Sequence, residues 1–421
     1  MGGNPVKTVY LAWRNVWRNW ARSALTASAA CACTLIGCRS LSLDAAFIDF
    51  RLASIKNHRT GDVRVMSRAY LENERVMPLQ FFVEDTERAL TTLTRSDFVA
   101  SAVPRAPFVV SIYRKGERIP CRAIGVDFRT DPITRAKNDV LAQGFYPAPG
   151  SADILITAGL AKELTLSVGD KLTVLTRTAT GGTNGKTFTV SGVVSMSDMD
   201  FSGRAFFLDW RTAGSFLRMG QNALAINVFL KKGADVESAL AAIRNSLGAS
   251  SGEKGYAALD VRAWHDVSET FAFLKVSRVL FAIYGAIFYI LASTVIVNTT
   301  MMAVLERKRE IGTLAALGMA KSRILALFVA ESGLIAATGI VLGLCAGGLI
   351  VSAIHRAGFD IEAIYGTDLG GMGISRVIYP SLAPQQYAFI LALGLSIAVL
   401  ACLIPAHIAT RIEPAEAMRD R

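Results

Sequence analysis

Four long apolar runs constrain this chain more than any other feature, because each is long enough to cross a lipid bilayer. They cover about residues 23–46, 279–305, 324–354 and 387–408. A spanning helix needs about 20 mostly apolar residues, and each run meets that length. Since backbone polar groups inside a bilayer must bond to one another, the sequence predicts four transmembrane helices.

The first run also has features of a secretory leader. Its segment 35–38 (LIGC) resembles a lipoprotein cleavage box, and basic residues precede it. However, a leader of 37 residues would be long, and its basic region would contain Trp13 and Trp17. We therefore favour an uncleaved membrane span over a cleaved leader.

The segment between the first two runs, residues 47–275, has the makeup of a folded aqueous domain. Hydrophobic residues form 52% of the 421 residues, yet charged residues reach 19%, more than spans alone would carry. Patterns of period two and period 3.6 predict strands at 62–66, 171–175, 187–194 and 225–230, and helices at 82–94 and 234–247. The expected fold is a membrane α-helical protein with four transmembrane helices and an inserted α+β extracytoplasmic domain between helices one and two.

The basic residues behind the formal net charge of +11 cluster beside the apolar runs. The clusters are residues 7–22, 307–309, 321–323 and 411–421. Basic residues at the ends of spans mark the cytoplasmic side, and every cluster falls on that side if both termini are cytoplasmic. The charge therefore indicates membrane topology, and we expect no nucleic-acid partner.

The cysteines and histidines indicate neither a disulfide framework nor a metal site. Five of the six cysteines lie in the apolar runs, so the outer domain holds only Cys121. The four histidines are scattered, and we find no Ser/His/Asp set or paired acids. We expect no bound metal and no catalytic residues in this chain.

Residues 178–188 (TATGGTNGKTF) look at first like a nucleotide-binding loop, because 185–187 match the end of the G-x-x-x-x-G-K-[ST] motif. The first glycine of that motif would fall on Thr180, so the spacing is wrong. A phosphate-binding loop also lies between a strand and a helix, whereas both flanks here alternate like strands. We expect a β-hairpin that turns at Asn184-Gly185.

The loop between runs two and three, Glu306 to Ala320 (ERKREIGTLAALGMA), carries an apolar stripe. Ile311, Leu314, Leu317 and Gly318 recur at helical spacing within a polar segment. Such a stripe either packs against the chain's own helices or fills a groove in a partner. The stripe alone favours packing within the chain.

This loop closely resembles the FtsX-like permease signature of the MacB and lipoprotein-releasing (LolC/LolE) ABC transporters. Residues 11–19 (LAWRNVWRN) look like the family's amphipathic N-terminal helix, 164–174 (LTLSVGDKLTV) like a segment of its outer domain, and 412–419 (IEPAEAMR) like its C-terminal tail. The resemblance implies three regions. They are 1–46, the cytoplasmic amphipathic helix and transmembrane helix 1; 47–275, the periplasmic α+β domain; and 276–421, the FtsX-like domain with transmembrane helices 2–4 and a cytoplasmic coupling helix.

The resemblance further implies a permease subunit of the bacterial inner membrane, with both termini cytoplasmic and the large domain periplasmic. A separate ATPase, which would bind ATP and Mg²⁺, would dock on the loop, so no cofactor is expected on this chain. The implied coupling positions are Glu306, Arg309, Glu310, Ile311, Gly312, Leu314, Leu317 and Gly318. Other implied partners are a second permease subunit in a homo- or heterodimer, membrane lipid, and a lipoprotein cargo with its periplasmic acceptor.

Two further groups of residues in the runs are candidates for function. Gly339, Gly343 and Gly347 place small residues on one helix face, which suits packing within the chain or contact in a dimer. Arg39 and Asp44 near the outer end of run one suit snorkelling to the interface or a substrate entrance.

Three functions fit the resemblance. Lipoprotein release from the inner membrane comes first, because the chain is a free permease with a large first outer domain. MacB-like export of peptides or drugs is the second. FtsX-like regulation of a cell-wall hydrolase, without transport, is the third.

Overall fold

The structure is a computed structural model. It describes residues 20–114, 117–134, 140–195, 203–249, 259–267, 269–306, 308–317, 319–360 and 377–409. The predicted N-terminal amphipathic helix, the C-terminal tail similar to the family's, Arg307 and Gly318 lie outside these ranges.

The described residues form eleven α-helices. In chain order, α1 to α11 are Trp20–Ile55, Arg68–Glu72, Thr86–Thr94, Ala158–Leu164, Trp210–Phe216, Val236–Ala249, Trp264–Val267, Glu269–Glu306, Lys308–Ala316, Lys321–Ala357 and Pro384–Ala409. A π-helix, Lys56–Thr60, directly follows α1. Two short 3₁₀ helices are Glu74–Val76 and Pro132–Thr134.

Ten of the twelve strands formed by the described residues lie between α1 and α8 in the chain. In chain order, β1 to β12 are Val63–Ser67, Val99–Arg114, Glu117–Val126, Val140–Gly144, Asp153–Thr157, Lys171–Arg177, Thr183–Ser195, Ala205–Asp209, Ala225–Leu230, Leu259–Ala263, Phe359–Asp360 and Val377–Ile378.

The chain forms two compact units. The helical unit comprises the described parts of residues 1–48, 273–359 and 378–421, and the α+β unit comprises those of 49–272 and 360–377. The predicted combination of four transmembrane helices with an α+β domain is confirmed.

Four helices are long and apolar enough to cross a membrane: α1, α8, α10 and α11. Helix α1 ends at Ile55, nine residues beyond the apolar run that predicted it. The segment 47–60 contains no glycine or proline, so nothing breaks the helix until Gly61, whose φ is +69°. Within the helical unit, the Thr300 hydroxyl of α8 lies 3.3 Å from the Ser332 hydroxyl of α10, a buried polar contact between spans.

Six strands of the α+β unit close into a barrel. The order is β2, β3, β8, β5, β7 and β6, and β6 pairs again with β2. Pairs β3–β8 and β5–β7 are parallel, and the others are antiparallel. Closure leaves these strands no free edge along the ring. Buried aromatic rings fill the interior, where Phe188 meets Phe216 edge to face at 5.5 Å between ring centroids.

Strand β2 joins the barrel to a second sheet. Its residues from Ala106 onward pair with β3, whereas those from Val99 to Arg105 pair with β9. The second sheet continues from β9 to β1 and β10. Buried side chains of α3 and α6, among them Leu93 and Ile243, form its core with the strands.

Residues 178–188 form part of a β-hairpin, as the sequence predicts, but the turn is elsewhere. Asn184 and Gly185 are inside β7, paired with Thr176 and Leu175 of β6. The turn is formed by residues 178–182, where Gly181 has a φ of +83° and its N–H donates to the Thr178 carbonyl. The Asn184 amide instead donates to the Phe216 carbonyl at 2.8 Å, so its side chain serves a tertiary contact.

The helix predicted at 82–94 begins later, at Thr86. Val83 forms an isolated β-bridge with Ala223, and its N–H donates to the Ala223 carbonyl at 2.8 Å. Asp85 then takes a left-handed conformation with φ of +48°. A bridging residue cannot also be helical, so tertiary pairing overrides the local preference at 82–85.

Candidate functional site

The predicted coupling loop contains a short helix, α9, between two candidate spans. Helix α8 ends at Glu306, α9 runs from Lys308 to Ala316, and α10 begins at Lys321. The N–H of Leu317 donates to the Thr313 carbonyl at 3.0 Å, so the helical turn includes Leu317. Charged residues at the start of α9 keep this segment polar although it lies between two apolar helices.

One face of α9 is fixed to the spans through Ile311. Its side chain is 3% exposed and packs in a buried cluster. The other buried members are Val304 of α8, Ile324 and Phe328 of α10, and Ala406 of α11. Ile311 therefore joins α9 to three candidate spans at once, and the neighbouring Gly312 is buried as well.

The end of α9 presents an apolar side chain to solvent. Leu317 is 80% exposed, the largest exposed fraction among the large hydrophobic side chains of the described residues. Arg309, Glu310 and Thr313 are exposed on the same short helix. The end of α9 therefore presents one apolar side chain among polar ones, while Ile311 holds another side of the helix against the spans.

Ile311 and Leu317 of the predicted stripe therefore do not share one face. Six residues of an α-helix turn through about 600°, which leaves Ile311 and Leu317 about 120° apart, one buried and one exposed. Glu306, Arg309 and Glu310 are exposed with Leu317. Leu314 belongs to α9, but its side chain lies outside the description, as does Gly318.

The three glycines of α10 contact α1 of the same chain. A Cβ at Gly339 would lie 2.3 Å from the Ala27 carbonyl oxygen, and one at Gly343 would lie 2.6 Å from that of Cys31. At Gly347 the nearest atom, 2.8 Å away, is the Cys38 Cβ. The glycines thus allow two helix backbones to approach more closely than any side chain would permit.

Arg39 and Asp44 are not brought together into a site. Both lie on α1, and five residues of an α-helix put them about 140° apart around its axis. Arg39 is exposed and Asp44 is half-buried. Their placement leaves the substrate-entrance expectation untested.

Sequence reasoning missed a buried ion pair inside the α+β unit. Arg105 and Asp131 are 3% and 0% exposed, and both carboxylate oxygens accept from the guanidinium at 2.6 Å. The same guanidinium donates at 2.7 Å to the carbonyls of Asn57 and His58, in the π-helix that follows α1. The available signal was a lone arginine within the apolar strand 99–112.

Two family models match this chain. The MacB-like periplasmic core domain matches residues 40–246, and the FtsX-like permease C-terminal domain matches residues 282–414. The second match contains α9 and the three glycines of α10. Together the two matches cover most of the chain.

Curated relatives and solved structures resemble parts of it. An uncharacterised ABC transporter permease of Methanocaldococcus jannaschii is 32% identical over 32% of this chain and 34% of the relative. The lipoprotein-releasing system transmembrane protein LolC of Neisseria meningitidis serogroup B is 25% identical over 64% of this chain and 66% of the relative. The periplasmic region of MacB from Actinobacillus actinomycetemcomitans is 13% identical, with a TM-score of 0.37 over 50% of this chain and 92% of that one.

The chain thus spans about one third of the length of the Methanocaldococcus jannaschii permease and about two thirds of the length of the Neisseria meningitidis LolC. The order of its parts agrees with the matched models, because the α+β unit follows the first candidate span and the three remaining spans follow that unit. The chain therefore belongs to the FtsX-like permeases of the MacB and lipoprotein-releasing type, with a MacB-like periplasmic core domain between its first two candidate spans.

Proposed function

We propose that this chain is the non-catalytic permease subunit of an ABC transporter, and that a separate ATPase subunit drives it by docking on α9. The single observation that carries the proposal is the two-sided α9. Ile311 fixes it to α8, α10 and α11, while Leu317 is exposed at its end. ATP and Mg²⁺ would be bound by the ATPase, and this chain would bind no cofactor itself.

The packing of α9 suggests how force would enter the spans. A partner that holds Leu317 and moves would displace α9 as a body, because Ile311 is closely packed. The buried cluster would then pass the displacement to the three helices that contribute Val304, Phe328 and Ala406. Motion of the spans would in turn drive the MacB-like domain. Such a mechanism needs no catalytic group in this chain.

We infer the orientation from the charges and the cargo from the relatives. With α9 and both termini on the cytoplasmic side, each basic cluster lies where the positive-inside rule requires. The MacB-like domain would be periplasmic, and the membrane would be the bacterial inner membrane. The LolC relative supports lipoprotein release as the first choice of activity, with a second permease subunit completing a homo- or heterodimer. The lipoprotein cargo and a periplasmic acceptor would be further partners.

The variant Leu317→Asp tests the docking surface. A buried aspartate would be costly at a protein interface, so we expect the ATPase to be lost when the permease is purified from native membranes. The free permease should keep its thermal stability, because Leu317 makes few contacts of its own. Leu317→Met is the matched control and should retain the ATPase.

Two results would contradict the proposal. One is a Leu317→Asp complex that assembles and couples ATP hydrolysis to transport as the unsubstituted complex does. The other is a permease purified under mild conditions with no ATPase attached.

A further inference from the structure

A cavity of about 720 Å³ lies within the α+β unit, and no sequence motif pointed to it. Residues 58–60 of the π-helix and Asp266 with Val267 of α7 form part of its wall. Further lining comes from the segment 70–77 and from strands β1, β2 and β3. Its volume is within the range of pockets that hold small molecules, about 300–1,000 Å³.

Two buried polar groups in the wall make no well-formed hydrogen bond to the residues that the structure describes, although they lie close enough for the Arg64 guanidinium to lower the pKa of the Tyr70 hydroxyl. They are the Tyr70 hydroxyl, on a side chain that is fully buried, and the Nε of Arg64, on a residue that is 5% exposed. Leaving a buried donor unsatisfied costs about 1–3 kcal/mol. Two such donors in the wall of one cavity are explained if a bound group accepts from them.

The protonation of these groups makes both of them donors near neutral pH. Burial raises the pKa of Tyr70 to about 12, so its hydroxyl keeps the proton. An arginine guanidinium carries only N–H donors and no acceptor. The Arg64 Nη1 donates to Glu74 at 2.5 Å, which fixes the guanidinium while its Nε keeps no partner.

The charge of the wall favours an anion. The cavity is lined by five arginines and three acidic residues. The arginines are Arg59, Arg64, Arg75, Arg105 and Arg122, and the acids are Glu72, Glu74 and Asp266. Arg105 is committed to Asp131, which is not a lining residue. Without Arg105, the lining side chains keep a formal charge of +1, from four arginines, of which Arg64 is paired with Glu74, against three acids. Apolar side chains, among them Leu71, Val76 and Ile124, complete the wall.

We propose that this cavity binds a small amphipathic anion. A phosphate or carboxylate oxygen of the ligand would accept from the Arg64 Nε and the Tyr70 hydroxyl, and its apolar part would pack against Leu71 and Val76. The shared chemistry fits either a soluble small molecule or the headgroup region of an anionic lipid. This site is separate from α9 and does not depend on an ATPase.

The test uses the full chain in nanodiscs of phosphatidylcholine, with phenyl phosphate as the probe and calorimetry as the measurement. Phenyl phosphate combines an oxyanion with an apolar ring, and it does not form micelles. We expect it to bind more tightly than inorganic phosphate, which lacks the ring. Phenyltrimethylammonium, which reverses the charge, should not bind.

Tyr70→Phe is the decisive variant, because it removes only the hydroxyl and keeps the buried ring. The variant should fold, and it should bind phenyl phosphate about tenfold more weakly, as expected for one lost hydrogen bond to a charged acceptor. Tyr113→Phe is the matched control, since that side chain is 54% exposed and does not line the cavity. Its affinity should equal that of the unsubstituted chain.

A second variant, Arg64→Gln, should weaken binding at least tenfold as well. Nanodiscs that contain phosphatidylglycerol distinguish the two sources of the anion. If this lipid competes with phenyl phosphate, the natural ligand is a lipid headgroup. If the affinity for phenyl phosphate is unchanged, the natural ligand is a soluble molecule. Binding of phenyl phosphate weaker than about 1 mM would overturn the proposal. Equal affinities of the unsubstituted chain and Tyr70→Phe would overturn it too, since the bound anion would then lie elsewhere.

Discussion

Arg105 belongs to no sequence motif, and its structural role follows from the groups that its guanidinium contacts. Its guanidinium donates to both oxygens of Asp131 and to two carbonyls of the π-helix that follows α1. Sequence alone identifies an unusual charge in an apolar strand, but it gives no partner, because Asp131 is 26 residues away. The pair fixes the end of that helix inside the α+β unit.

Arg105→Met should destabilise the fold by about 3–5 kcal/mol, because it leaves Asp131 buried without its cation. The measurement is the denaturant midpoint of the full chain in nanodiscs, monitored by tryptophan fluorescence. Arg105→Met with Asp131→Leu should recover part of the loss, since no uncompensated charge remains. A single variant as stable as the unsubstituted chain would contradict the buried geometry.

Local sequence patterns predicted some strands of this chain correctly, but they did not predict the position of a hairpin turn or the exposure of a helical side chain. The strands at 171–177 and 225–230 were predictable, since alternation reflects the two faces of a strand. The hairpin turn was not, because a tertiary bond to Phe216 takes the Asn184 side chain. The exposure of Leu317 was also beyond prediction, since spacing shows a stripe but not which neighbours cover it.

The contact between α10 and α1 can be tested with one pair of matched variants. Gly339→Ala places a Cβ 2.3 Å from the Ala27 carbonyl, so the helices must move apart, and we expect a loss of about 1–3 kcal/mol. Gly333→Ala, on the same helix, meets no atom within 4 Å and should be neutral or slightly stabilising. Thermal unfolding in nanodiscs compares them, and equal midpoints would contradict the close approach.

At the scale of the whole molecule, the four spans and the inserted domain follow from the sequence, whereas the barrel does not. Apolar runs report burial in lipid directly, and their length is sufficient to count them. The barrel depends on the parallel pairs β3–β8 and β5–β7, whose strands are far apart in the chain. Such non-local pairing leaves no local pattern. The lining of the cavity by Tyr70, Arg64 and Arg122 is hidden for the same reason.

If a separate ATPase drives this chain, it should contact the chain at the end of α9. Photo-crosslinking in native membranes tests this contact, with the crosslinking amino acid at position 317 and, as control, at position 113 in the α+β unit. We expect a crosslink from position 317 to a protein with ABC ATPase motifs, and none to that protein from position 113. A crosslink to the ATPase from position 113, or none from position 317 in a complex that contains the ATPase, would contradict it.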